Sequence, residues 1–235
     1  MEAVRLSFIE KGIEEDEVKF CRRRNARRYI ASIDRHGQIR VTIPGGGSRR
    51  EALEFVRENS SWLRDQQKKR EEQVEKAKLK SGDTIWYRGD RYNLRVSKDW
   101  GRPVLYFADQ KIFLADENID LSRPLGQQFR LLAKRELPGR TKTLADRFEL
   151  SYSKVSIRDQ QTRWGSCSSS GVISLNWRLI MVPSSVVDYI IIHELMHLRE
   201  MSHSPRFWKF VEMACPQYRE SEHWLKAHHS ELGWG

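Results

Sequence analysis

Residues 193–197 read His-Glu-Leu-Met-His. On a helix, positions i and i+4 share a face, so His193 and His197 can present their imidazoles to one ion. Zn²⁺ accepts neutral imidazole nitrogen at ~2.0–2.1 Å. A carboxylate one residue after the first histidine lies beside such an ion without having to bind it. Glu194 is therefore placed to take a proton from water at the metal, the two-ligands-plus-base logic of an HExxH turn. A catalytic ion also needs a third protein ligand and an open position. Six of the seven histidines lie at or beyond residue 193, and the nearest to the motif is His203. Six helical steps of ~100° would swing His203 off the shared face. The spacing thus predicts that the helix ends near Met201-Ser202 and that the chain turns back. Pro205 supports a stop, since it disfavours helix at Ser204. His223, Glu200 and Glu220 are the substitutes for the third ligand.

This spacing equals that of the metzincin signature, but Glu200 stands where that pattern has glycine, and no Met-turn is evident. A further donor for the developing oxyanion could come from Arg206, Tyr189, Tyr218 or Arg163, among which the sequence does not choose. Cys167, an isolated thiol in a serine-rich turn, has no identifiable neighbouring base. The strand Val172–Trp177 reads either as an exposed edge able to pair with an extended peptide or as a plain core strand. Trp177, Trp208, Trp224 and Trp234 are expected to pack a small C-terminal core.

Several elements must hold these groups in place. Lys154–Trp164 and Val172–Trp177 read as strands around the turn-rich GSCSSSG. After Pro183, Ser184 or Ser185 can cap the motif's helix, with Asp188 in its first turn. Upstream, Phe129, Leu132, Leu144 and Phe148 predict a helix over 126–149, broken or kinked at Pro138-Gly139. Short strand-like runs with turns at Gly89-Asp90 and Asp109-Gln110 predict an antiparallel meander over 83–116. Nearer the N-terminus, Tyr29, Ala31 and Ile33, then Ile39, Val41 and Ile43, alternate with polar residues around a His36-Gly37 turn. Ser48 with Glu51 is a capping-box signature opening one long helix striped by Ala52, Phe55, Val56, Asn59, Trp62 and Leu63. The fold class expected is α+β. A basic, β-rich N-terminal portion with a long helix (1–125) would precede a small domain carrying the HExxH helix (126–235).

The chain has 235 residues, of which 39% are hydrophobic and 10% aromatic, too much for a disordered chain. No run approaches the ~20 apolar residues of a membrane span. The N-terminal MEAVRLSFIEKGIEEDEV has no signal-like apolar stretch, and three scattered cysteines indicate no disulfide framework. A cytoplasmic protein is expected, of unspecified oligomeric state and without a membrane partner. Its 42 Lys and Arg against 32 Asp and Glu give a net charge of +10. The run VKFCRRRNARRY (residues 18–29) carries six basic residues and no acidic one. The leading expectation is a zinc-dependent peptidase using one Zn²⁺ and acting on protein or peptide. The positive charge motivates a metal-dependent nucleotide phosphohydrolase as one alternative. The basic run motivates another, a nucleic-acid-binding protein with a structural zinc.

The stretch RWGSCSSSGVISLNWRLIMVPSSVVDYIIIHELMHLREMSHSPRFW (residues 163–208) resembles the YgjP-like metallopeptidase domain, related to the SprT-like and WLM peptidases. Those families share a small zincin fold, with HExxH and a later His in a His-Ser-Pro or His-Gly-Pro context before Phe-Trp or Phe. His203-Ser204-Pro205 followed by Phe207-Trp208 is similar to that context. Arg163-Trp164-Gly165-Ser166-Cys167 is similar to the stretch before the family's substrate-side strand. RRRNARRYIASIDRHGQIRVTIP, with the helix ending in Trp62, resembles the family's N-terminal part. The likeness runs from Val18 to His229. It implies that the small domain 126–235 is zincin-like, that His193, His197 and His203 bind zinc and that Glu194 is the catalytic base. The SprT-like relatives also suggest that a basic part could recruit a protease to protein on nucleic acid.

Overall fold

The computed structural model describes residues 13–34, 37–76 and 78–232, leaving Trp234 and the first twelve residues outside. These fall into two compact units divided at 77/78. That division precedes the expected 125/126 border because the meander shares its core with the helix and strands that follow it.

In the N-terminal unit, β1 (Val18–Arg22), β2 (Ile30–Ile33) and β3 (Ile39–Ile43) form a sheet in the order β1-β3-β2. β1 runs parallel to β3, and β2 antiparallel to it. The alternation in β3 buries Ile39, Val41 and Ile43 against Ala52, Val56 and Leu63. His36 of the expected turn lies outside the described residues, whereas Gly37 adopts φ 80°, which glycine accepts without strain. The basic run divides between β1 and the loop after it, with Arg23, Arg24, Arg27 and Arg28 all exposed.

The capping box forms. The Glu51 amide donates to Ser48 Oγ at 3.1 Å, and the Ser48 amide to Glu51 Oε2 at 2.9 Å. The expected long helix, however, is interrupted. α1 (Arg49–Glu58) and α2 (Ser60–Lys76) meet at Asn59, whose side-chain amide donates to the Phe55 carbonyl at 2.8 Å. Asparagine thus supplies a local hydrogen bond that competes with helix propagation. Trp62, placed on the apolar stripe by its spacing, is instead 49% exposed, while Leu63 is buried.

The C-terminal unit opens with a hairpin of β4 (Thr84–Tyr87) and β5 (Asp90–Asn93). The antiparallel meander β6 (Arg95–Asp99), β7 (Arg102–Phe107) and β8 (Gln110–Phe113) follows. The hairpin turns on Arg88-Gly89, both at positive φ as a tight two-residue turn requires. Its tip is tied in place: the Arg88 and Gly89 amides donate to the Ile180 and Met181 carbonyls at 2.9 and 3.0 Å. A β-carbon on Gly89 would come within 2.7 Å of Pro183.

α3 (Ser122–Arg147) runs through Pro138 without the expected break, burying Phe129, Leu132, Leu137 and Leu144 along one face. Tertiary packing on both sides of the proline outweighs the single amide donor it removes. The expected strand over 154–164 is shorter, because β9 ends at Arg158 and a loop carries the chain to β10 (Gly165–Cys167). β11 (Val172–Asn176) lies between them, antiparallel to β10 and parallel to β9. It is therefore a central strand with Ile173 and Leu175 buried, not an exposed edge. Asn176 holds the connecting loop through its side-chain amide, which donates to the carbonyls of Gln160 at 2.7 Å and Arg163 at 3.1 Å.

α4 (Ser184–Met196) is apolar nearly all round and runs through the core, as such a helix must. Neither Ser184 nor Ser185 caps it, since the N-cap is Pro183 and Ser184 is already helical. Asp188 is anchored by the Arg140 guanidinium, whose Nε donates at 2.6 Å. α5 (Pro205–Ala214) and α6 (Tyr218–His228) complete the unit. Trp177, Trp208 and Trp224 all belong to its core or pack against it. Among the described residues, no helix is long and apolar enough to cross a membrane.

Candidate metal centre

α4 delivers His193 and Glu194 from its last turn and ends at Met196, earlier than expected, with His197 as its C-cap in helical conformation. The next turns tighten, the Leu198 and Arg199 amides donating to the Leu195 and Met196 carbonyls at 3.0 Å each. The chain then reverses into Ser204, whose hydroxyl accepts from the Phe207 amide at 3.3 Å and whose extended backbone precedes Pro205 at N1 of α5. His203 is carried back to α4 by this reversal.

Three imidazoles converge there. His193 Nε2 lies 3.0 Å from His203 Nε2, and one ring nitrogen from each of His193, His197 and His203 lies within 4.8 Å of the others. Nitrogens sharing a tetrahedral ion at ~2.0–2.1 Å stand roughly 3.3 Å apart, so the set fits a small divalent cation. Nδ1 of His197 faces the Glu200 carbonyl at 3.1 Å, which assigns the proton to Nδ1 and leaves Nε2 free to bind. Burial, reinforced by the neighbouring rings, pulls the His193 pKa down to about 4, and its Nδ1 is buried with no hydrogen-bond partner among the described residues. Burial also lowers that of His197. These two rings are neutral at neutral pH, the form in which imidazole binds metal. His203 is exposed and opens the cluster to solvent.

Behind the rings sits Phe207, which is fully buried. It stacks on His197 at 4.4 Å between centroids and meets His193 and His203 edge-on at 4.9 Å each. Its place in the Phe-Trp pair could be read from the sequence, but its contact with every imidazole could not.

Glu194 is 5% exposed and is not gathered with the imidazoles. Burial pushes its carboxyl up to about 8, partly offset by the charge of Arg163. β10 lies against it so closely that a β-carbon on Gly165 would come within 2.6 Å of Glu194 Oε1. That approach explains the glycine in Arg-Trp-Gly-Ser-Cys. The Cys167 thiol is raised to about 11, first by burial and then by Glu194, so it stays protonated, and it lies outside the imidazole cluster.

The substitutes for a third ligand are not brought to the cluster. His223 and Glu220 are exposed on α6, and the Glu200 carboxylate accepts from the Ser202 hydroxyl at 2.7 Å. Of the oxyanion candidates, Tyr189 is buried and donates to Glu222 at 3.0 Å, and Tyr218 stacks on Trp208. Arg206 lies over Phe210. Only the Arg163 charge reaches Glu194 among these.

A family described as YgjP-like, metallopeptidase domain, matches residues 27–228. No curated protein matches. Among solved structures, the metallopeptidase zymogen of Pyrococcus abyssi abylysin is 28% identical. That match covers 40% of this chain and 91% of that one, with a TM-score of 0.34.

Proposed function

The chain belongs to the YgjP-like metallopeptidase family, and from that premise we propose that it hydrolyses peptide bonds at a centre held by His193, His197 and His203. The observation that carries this reading is the convergence of their ring nitrogens within 4.8 Å, beside a buried carboxyl. A divalent ion bound there, typically zinc, would lower the pKa of water toward ~7 and polarise the scissile carbonyl. The positive charge of such an ion also favours the ionised form of Glu194. Glu194 then accepts the proton of the attacking water and returns it to the leaving amine. Arg163, whose charge reaches Glu194, would be the nearest candidate to steady the developing negative charge. An extended substrate would lie along β10, which pairs only with β11 among the described residues and so leaves one edge open.

Metal analysis of the purified protein, together with two variants, tests this reading. Glu194→Gln should keep about one ion per chain while turnover on an unstructured protein substrate falls by roughly 10²–10⁴. His203→Ala should lose the ion as well. Retention of both metal and activity by His203→Ala would remove it from the ligand set. Phosphate release from nucleoside triphosphates without any peptide cleavage would replace the peptidase reading.

A second reading concerns the N-terminal unit. Arg23, Arg24, Arg27 and Arg28 are exposed and pair with no carboxylate among the described residues, a surface suited to a phosphate backbone. Binding of single- or double-stranded nucleic acid that falls steeply with salt would support it, and none at low salt would end it.

A further inference from the structure

A recess of about 540 Å³ is lined by His197, the turn Ser168–Gly171, the segment Ser151–Ser153 and Arg199. Resting on the peptidase reading, we propose that this recess is the specificity subsite for a carboxylate-bearing residue, Asp or Glu, about three positions from the scissile bond.

Position follows from the strand. Gly165, at the start of β10, touches Glu194, and the strand leads directly into Ser168. At ~3.3 Å per residue, three residues carry a paired peptide about 10 Å along, from the reacting carbonyl to the recess. Chemistry follows from the lining, which contains serine hydroxyls, a guanidinium and no Asp or Glu. Arg199 donates from Nη2 to the Phe148 carbonyl at 2.9 Å and lies over the Phe210 ring at 5.7 Å, and among the described residues no carboxylate pairs with it. Ser168 and Ser170 share one hydroxyl proton across 2.9 Å, so the other is available to a ligand. A carboxylate finds a charge-assisted partner here, whereas a lysine or arginine side chain would face a like charge.

The test is cleavage profiling of the metal-loaded full chain on a randomised peptide library. The expected result is an enrichment of Asp and Glu over Lys at one fixed position, on the order of ten-fold. Arg199→Gln should erase that preference while peptides with neutral residues there are still cut. Ser169→Asp, which leaves the Arg199 anchor untouched, should reverse it toward Lys. A preference unaltered in both variants would overturn the subsite and leave peptide hydrolysis standing. If the wild type cuts no library peptide at all, the hydrolysis reading fails. The recess is then judged by fluorescence anisotropy on metal-loaded Glu194→Gln. Stronger binding of an Asp peptide than its Lys counterpart, reversed by Ser169→Asp, supports it; equal binding overturns it.

Discussion

Gly165 and Glu194 show how strongly a residue's role here depends on its neighbour. The Glu194 carboxyl is buried, and the main chain of Gly165 is among the groups that lie closely against it. Adding one methyl group at position 165 would push into Oε1 at 2.6 Å. Gly165→Ala should therefore keep metal content near one ion per chain while turnover falls at least ~10-fold, since small misplacements of a reacting group cost rate heavily. Parallel metal analysis and progress curves check this. If activity is unchanged, the base has more room than the close approach implies. HExxH was legible because the motif is local, two donors and an acid within five residues. The packing of Gly165 against Glu194 joins residues about thirty positions apart and has no signature in spacing.

The elements that hold the site are secured by polar contacts more than by their own propensities. The loop between β9 and β10 is held by Asn176 and by Asp159, which accepts from Arg178 at 2.6 Å, Arg130 at 2.8 Å and the Trp177 indole at 3.0 Å. Burial alone would raise the Asp159 pKa, but these donors, Arg178 foremost, bring it down to about 2. The stabilisation from this cluster is complete above the ordinary carboxylate pKa and is lost as pH falls from about 4 toward 2. Because the carboxylate is about a third exposed, solvent screening limits its worth to about 1 kcal/mol. Acid unfolding of Asp159→Asn should show less loss of stability over that interval than the wild type. An identical acid profile would mean that other carboxylates dominate there. The capping box at Ser48 and the strands β2, β3 and β11 could be read from the sequence, because caps and period-2 alternation are short-range signals. The interruption at Asn59 rests on one side-chain bond to the Phe55 carbonyl that the apolar spacing does not announce, whereas the intact α3 through Pro138 and the central place of β11 are decided by partners distant in sequence.

At the scale of the molecule, every site residue falls in the unit 78–232, together with the meander. Sequence alone set the border too late because the meander's short strands carry no mark of which core they complete. Tyr87 and Phe107 supply that mark, meeting Phe129 of α3 with ring centroids 5.8 and 5.7 Å apart. Metal binding to the native form should raise the stability of this unit by ~4 kcal/mol at a thousand-fold excess over Kd. Chelation should abolish hydrolysis and lower the melting temperature, and re-addition of zinc should restore both. A melting curve indifferent to chelator would argue against a bound ion in the purified protein.

Phe207 leans on each of the three imidazoles and is itself sealed from solvent. With one ring as their common backstop, the proposed ligands would be preassembled before any ion arrives. Little ordering entropy remains to be lost on capture. The rate of loading should then be governed by how fast the incoming ion sheds its hydration water, not by rearrangement of the polypeptide.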